Sequence, residues 1–546
     1  MRYLPLFLLL LGLTGCTPPA ADTTSPPSDE TTSMDNTTTD LWRPGYHFTP
    51  PSGWMNDPNG MVYHDGVYHL FYQYYPDDLK WGPMHWGHAT SSDLVKWEHQ
   101  PIALFPDDKG YIFSGSCVVD KGNTSGLGSN GKDPLIAIFT YHDMDAEKAG
   151  EEDYESQGIA YSNDGGKTWE KYAGNPVLPN QGIKDFRDPK VRWDDKTARW
   201  TMTLAVKDHI EFYSSPNLID WTYLSRYGDD SPVKGGVWEC PELMPMRVVE
   251  TGEIRYVLIV SINPGGPNSG SATFYYVGDW DGTTFTASPQ PSYAPQELER
   301  WLDYGRDNYA AVTFANAPDD RTILIGWMSN WEYAQDVPAD QFRSAMTVPR
   351  DLTLHETDFG YRLHQGPVPE LKTLRGASAS LPDRFEPGTT TIDLPTGGAP
   401  GCYELELDLE LLSSSTEIYF DLTNEAGNKF FRFGWSTLIY GDERLFFTDR
   451  RSSGLTDFSP KFAPETTTAG VRWSNNSVLK LRVLTDRTSA EVFFDDGATA
   501  MTDIFFPEEP YTQLLVTVTG AEDSMDATAG YDVSGGRVWA LREARE

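Results

Sequence analysis

Positive charge, cysteine, histidine and long apolar runs are all scarce in this 546-residue chain. Lysine and arginine number 43 against 80 aspartates and glutamates, a formal net charge of −37 at pH 7. A surface that acidic repels phosphate and argues against nucleic acid as a partner. Four cysteines are too few for a disulfide scaffold, and no Cys/His cluster has zinc spacing. Beyond Cys16, the cysteines Cys117, Cys240 and Cys402 leave an odd number, so at least one thiol is free or pairs with another chain. No helical period persists over any long stretch. The one long apolar run, residues 4–13, is too short to span a bilayer.

That run follows Arg2 and ends in Leu13-Thr14-Gly15-Cys16. A positive start, a short apolar core and small residues before a cysteine make residues 1–16 a signal peptide. Its end resembles the bacterial lipobox, in which the cysteine is lipidated and becomes the first residue of the mature chain. Residues 17–41 are mostly Thr, Ser, Pro and Asp, cannot bury a core, and read as a flexible tether. The expectation is a protein anchored through lipid on Cys16 in the cell envelope, facing away from the cytoplasm.

Turns and rings are abundant. The chain holds 48 glycines, 39 prolines and 13% aromatic residues, with 39% of all residues hydrophobic. Its length allows two to four domains, and the turn residues favour many short strands. Five apolar segments, at 68–75, 135–141, 199–206, 255–261 and 321–327, read as buried strands. Most precede a turn bearing tryptophan, as at Trp97, Trp169, Trp221 and Trp280. Repeats of this size, rich in strand and poor in helix, suit propeller blades, so residues 42–365 are expected to form a five-bladed β-propeller. Residues 366–385 read as a linker. Period-two alternation over residues 386–546 predicts a C-terminal β-sandwich and an all-β chain.

Three acids stand just ahead of buried strands, each beside a proline: Asp57, Asp188 and Glu239. The repeats assign them to blades one, three and four. Inner strands of a propeller surround one axis, so these distant residues can converge there. Trp54 and Trp238 stand beside two of them. Carboxylates among aromatic faces suit a sugar, whose C–H faces stack on rings while its hydroxyls bind acids. Asp-Pro and Asn-Gly are also common turn dipeptides, and equivalent placement in three repeats is what favours a site.

At these residues the chain resembles glycoside hydrolase family 32, the fructan hydrolases and invertases. The motifs are Trp54-Met55-Asn56-Asp57-Pro58-Asn59-Gly60, Phe113-Ser114-Gly115-Ser116, Arg187-Asp188-Pro189 and Glu239-Cys240-Pro241. Asp303-Tyr304-Gly305-Arg306-Asp307-Asn308-Tyr309 and Gly326-Trp327-Met328-Ser329-Asn330-Trp331 match its fifth-blade segments. Arg451-Ser452-Ser453-Gly454 and Ala490-Glu491-Val492-Phe493-Phe494 match its sandwich. Within the family the likeness is greatest to levanases and exo-inulinases.

The resemblance implies retaining hydrolysis of β-D-fructofuranosides, levan or inulin first, with sucrose as a further substrate. It makes Asp57 the nucleophile, Glu239 the general acid and then base, and Asp188 the residue that holds fructosyl hydroxyls and stabilises a cationic transition state. A retaining pair of carboxyls is expected about 5–5.5 Å apart. Asn56, Gln73, Trp81, Ser114 and Arg187 match positions lining the fructosyl subsite. Trp327 either stacks beyond the first sugar or fills the core, and Trp301 and Asp303 are weaker candidates. No metal or organic cofactor is implied. Exo-action is expected, with an endo-acting levanase or inulinase as the alternative. A sialidase would share the Asp-box at residues 162–169 but would need arginines and a tyrosine nucleophile at the axis. An arabinan- or xylan-cleaving propeller would lack Asn56-Asp57-Pro58-Asn59-Gly60. A non-catalytic surface fructan-binding lipoprotein would keep the aromatics and lose an acid; all three acids are present.

Overall fold

The computed structural model describes residues 41–129, 131–289, 300–411, 417–436, 445–519 and 530–544. The signal segment, Cys16 and the tether up to residue 40 lie outside them. The described chain is nearly all β and builds five sheets around one axis, each with a four-stranded core and two with a short fifth strand added, followed by two larger packed sheets. It is a five-bladed propeller with a C-terminal β-sandwich.

Each apolar segment picked out above lies in the second strand of a blade. These strands are Val67–Tyr75, Leu135–His142, Arg199–Val206, Ile254–Asn263 and Ile323–Met328. Leu135–His142 is buried at every position. Neighbouring blades cover both faces of such a strand, which is why its sequence does not alternate. The sandwich has one dry face per sheet, and Gln513–Thr519 alternates half-buried and buried accordingly.

The tryptophan-bearing turns join the third and fourth strands of successive blades. In the second blade, Asp164 accepts bonds from the Lys167 and Thr168 amides at 3.1 and 3.0 Å, and Trp169 Nε1 donates to the Gly166 carbonyl at 3.1 Å. Asp93 plays the same part in the first blade and Asn217 in the third. A short polar side chain closes each turn by mimicking backbone. The fifth blade closes instead through Thr357, whose Oγ1 donates to the Gly360 carbonyl at 2.8 Å.

The inner strands are Gly53–His64, Tyr111–Val119, Phe186–Asp194, Val237–Arg247 and Tyr309–Thr313. Every one carries a bulge near its start: three steps along the inner strand face two along its neighbour. The slips fall between Met55 and Pro58, Ile112 and Gly115, Arg187 and Lys190, Glu239 and Glu242, and Tyr309 and Val312. A bulge kinks the strand and re-aims one side chain. The prolines beside the three acids sit where no ladder N–H is needed. Asp188 and Cys240 take left-handed φ values of 63° and 47° within these kinks.

Residues 366–385, expected as a linker, are structured. The turn Pro369–Leu374 buries Leu371 and Leu374, and Arg375–Ser380 pairs with Tyr531–Leu541 as a sandwich strand. The two parts share a buried ionic seam. Fully buried Arg350 binds Glu491 and Asp303, and His47 bridges Asp486 and Glu491 at 2.8 Å to each. Cys117, Cys240 and Cys402 are buried free thiols.

Candidate active site

The bulges of the first four blades open onto a cavity of about 460 Å³ at the starts of the inner strands. Asp57, Asp188 and Glu239 line it, as do Asn56, Gln73, Trp81, Ser114 and Arg187. Of the sequence-derived candidates among the described residues, Trp327, Trp301 and Asp303 are the ones that do not line it. Phe113, His142, Met144, Glu147, Asp185, Trp331 and Gln335 complete the wall.

Asp57 is fixed from two sides. Ser114 Oγ donates to Oδ2 at 2.7 Å and Asn56 Nδ2 to Oδ1 at 3.0 Å. Asn56 is itself held by Trp54 Nε1 at 2.7 Å. Asp188 Oδ2 accepts the Cys240 amide at 3.0 Å. The Cys240 thiol lies between the two aspartates, 3.6 Å from Asp57 Oδ2 and 3.7 Å from Asp188 Oδ2. Burial together with the neighbouring carboxylates holds that thiol well above its usual range.

Glu239 meets Arg187 Nη2 at 3.0 Å and accepts the hydroxyl of Tyr309. Arg187 in turn binds Glu155 and Asp185, each at 3.0 Å, so one guanidinium spans three carboxylates. Glu155 is fully enclosed and also accepts the Phe186 amide at 2.7 Å. Arg187 therefore cannot swing away without stranding a buried charge.

Burial and like charge in the cavity raise the proton affinity of Asp188 and Glu239. Burial pushes the Asp188 carboxyl up to about 8; Glu239 and Asp57 add to this, and Arg187 opposes it. Burial also raises Glu239, against Arg187 and the Tyr309 hydroxyl, with Asp57 adding to the rise. An acid whose proton is held more tightly, beside a second acid fixed by hydrogen bonds, is the pairing that acid/base glycosyl chemistry uses.

Beneath the cavity the axis is filled. Ser116 Oγ donates to the Pro189 carbonyl at 2.9 Å, and Lys190 Nζ donates to the Thr313 carbonyl at 2.6 Å and pairs with Glu242 at 3.3 Å. Thr313 Oγ1 donates to Glu242 at 2.6 Å, and Asn59 is buried. All five inner strands contribute to this plug.

The aromatic surround differs from expectation. Trp54 and Trp238 are buried, so neither offers a face to the cavity. Trp327 is fully buried against Tyr309, Trp54 and Trp331, with ring centroids 4.9 Å from Trp331. It lies in the second strand of its blade, which neighbours cover on both faces. Trp331, in the turn beyond that strand, reaches the wall instead. Trp301 is buried against Phe274, and Asp303 serves Arg350 and Thr502 at the sandwich seam. Tyr309, Cys240, Glu155 and Trp331 were not singled out from the sequence as site residues. Their signal is position: Tyr309 and Cys240 fall on the bulges, and Trp331 just past a strand end. Among the described residues no group of His, Cys, Asp and Glu has the make-up of a metal site.

Comparison with known proteins agrees with this geometry. "Glycosyl hydrolases family 32 N-terminal domain" matches residues 47–367 and "Glycosyl hydrolases family 32 C terminal" matches residues 370–533. A levanase of Bacillus subtilis is 46% identical over 473 residues, 86% of this chain and 67% of its own. An extracellular exo-inulinase of Aspergillus niger is 36% identical over 510 residues, covering 88% of this chain and 92% of its own. Among solved structures, exo-inulinase from Aspergillus awamori superposes with a TM-score of 0.80 at 32% identity, covering 92% of this chain and 99% of its own. A fructofuranosidase from Schwanniomyces occidentalis complexed with fructose gives 0.77 at 29%, covering 92% and 99%.

Proposed function

The chain belongs to glycosyl hydrolase family 32, and from that premise we propose how this site removes fructose from a fructan. The protein is a glycosidase of a retaining family acting on β-D-fructofuranosides such as levan, inulin or sucrose. Asp57, held by Ser114 and Asn56, attacks the anomeric carbon and forms a fructosyl ester. Glu239 protonates the departing oxygen, since a sugar alkoxide leaves poorly without a proton. Once the ester forms, the charge on Asp57 is gone and Glu239 loses one reason to hold its proton. It then acts as base on water, and Arg187 and Tyr309 steady its anion. Asp188 holds fructosyl hydroxyls and faces the positive charge of the oxocarbenium-like state.

What carries the reading is the convergence of the three acids on one cavity through equivalent bulges of separate blades. Gln73 supports it: its Nε2 is buried without a protein partner in the cavity wall, a donor in want of a hydroxyl. Trp81, Phe113 and Trp331 supply rings for the sugar's C–H faces.

The attack is on chain ends. The plug of Lys190, Glu242 and Thr313 closes the axis below the acids, and a blind cavity admits a terminus rather than a chain interior. At low conversion, levan and inulin should yield fructose alone. A ladder of oligosaccharides at that stage would refute exo-action.

The protein is exported and held at a membrane by lipid on Cys16. The supporting features are the apolar run, Leu13-Thr14-Gly15-Cys16 and the polar stretch that follows. Two or three acyl chains give retention that one cannot. Cys16→Ser should abolish incorporation of labelled fatty acid; equal labelling of variant and parent would discard the anchor.

A further inference from the structure

The turn that carries Trp331 and Gln335 into the cavity wall is gripped from behind by the sandwich. Arg450 follows the sandwich strand Leu445–Asp449 and is buried. Its Nη2 donates to the Tyr333 hydroxyl at 2.7 Å, and its Nη1 to Asp307 Oδ2 at 2.5 Å. Tyr333 closes the triangle by donating to Asp307 Oδ1 at 2.7 Å. The guanidinium also packs against two rings, 4.9 Å from the centre of Tyr333 and 3.9 Å from that of Phe462, and its Nε donates to the Phe462 carbonyl at 2.7 Å. A planar fork with both faces and edges engaged has one pose, and it imposes that pose on Tyr333.

We propose that Arg450 is a positioning residue for the reaction: through Tyr333 it sets the place of Trp331 in the substrate-binding wall. Tyr333 lies two residues from Trp331, in a tight turn whose Tyr333 and Ala334 amides bond the Asn330 carbonyl. The other end of that turn is tied to the fourth blade, where the Trp331 amide donates to Ser271 Oγ at 3.2 Å. The front of the Trp331 ring is what sugar meets; its back rests on Trp54 and Trp327. On the propeller the Tyr333 end is held by Asp307 and by Arg306, which pairs with the adjacent Glu332 at 2.7 Å and lies 5.7 Å from the centre of the Tyr333 ring; Arg450 adds the hold from the sandwich and pairs with Asp307 as well. The sandwich thus completes the site although it contributes no residue to the cavity lining.

The inference rests on Trp331 as a sugar-binding wall, and the test separates the two. KM and kcat on levan are measured for the parent, Trp331→Ala, Arg450→Lys and Tyr333→Phe, with melting curves to count folded enzyme. Arg450→Lys keeps a cation for Asp307 but loses the fork; Tyr333→Phe keeps the ring and loses both hydroxyl bonds. Both should raise KM by about fivefold with kcat within about twofold, in the direction of Trp331→Ala. A purely structural clamp would lower the folded fraction, and with it kcat, while KM stayed put. KM raised by Trp331→Ala but by neither of the others overturns the coupling and leaves the wall standing. KM unmoved by Trp331→Ala overturns both. Should Arg450→Lys fail to fold, Tyr333→Phe decides alone.

Discussion

Glu239→Ala is expected to lose roughly 10²–10⁴-fold in turnover of levan or inulin and far less in its first step on an aryl β-D-fructofuranoside. The difference follows from what the residue supplies. A fructan's leaving oxygen needs a proton as its bond breaks; a phenolate with electron-withdrawing groups does not. The variant should therefore form the ester on Asp57 from the aryl substrate quickly, then stall, because the second step still needs a base. A rapid burst of phenolate followed by slow turnover would be seen. Azide needs no base to attack, so adding it should speed the slow phase and give a β-fructosyl azide of retained configuration. Asp57→Ala should show neither burst nor azide product of retained configuration, because no ester can form; any azide product there would come from direct displacement and be inverted. Equal losses of Glu239→Ala on both substrates, or full activity on fructan, would remove Glu239 from the role of acid.

The residues that line the cavity are legible in the sequence to an instructive degree. Asp57, Asp188 and Glu239 could be found because a bulge on an inner strand tolerates proline, and proline beside an acid ahead of an apolar run is conspicuous. The same bulges in the second and fifth blades carry no proline. Ser114 and Tyr309 stand out only through the family motifs, and nothing in the sequence alone shows that Tyr309 holds Glu239. The blades were legible for a related reason: strands covered on both faces read as unbroken apolar runs, and the polar side chains that close turns recur at fixed places. Partners such as Glu155 were not legible. It sits on the second blade and reaches Arg187 of the third only because the two blades pack side by side. Trp327 and Trp331 show the limit most clearly. Four residues apart, both resemble sugar platforms, and only the end of the strand between them decides which ring sees the cavity. Residues 366–385 read as a linker because the blade pattern stops there, and only pairing with the distant Tyr531–Leu541 makes Arg375–Ser380 a strand.

The electrostatics of Asp188 lead to an expected result of a different kind: Asp188→Asn should be nearly inactive and yet more stable than the parent in alkaline solution. The amide can still accept the Cys240 N–H that now meets Oδ2. It cannot become an anion, so the charge facing the oxocarbenium-like state is lost. The rate should fall by roughly 10²–10³-fold, the usual cost of deleting one preorganised electrostatic contact, with kcat suffering more than KM. Stability moves the other way. Burial, with Glu239 and Asp57 nearby, raises the Asp188 carboxyl from 3.8 to about 8. The folded protein then holds this proton more tightly than the unfolded chain does. The stabilising contribution is whole below the unfolded value and is lost as pH climbs through about 8. Asparagine has no proton to surrender. Relative to the parent, the variant should therefore gain stability as pH rises from 4 to 9, on the order of a few kcal/mol at the alkaline end. Unfolding of both proteins by urea at pH 5 and pH 9 checks the sign. A gap that stayed constant across that range, or narrowed toward pH 9, would mean that Asp188 is charged in the empty site and that Arg187 outweighs the burial. A widening gap with activity lost would identify a residue that the fold tolerates at a cost because the reaction needs it, the exchange of stability for function expected where three acids share one cavity.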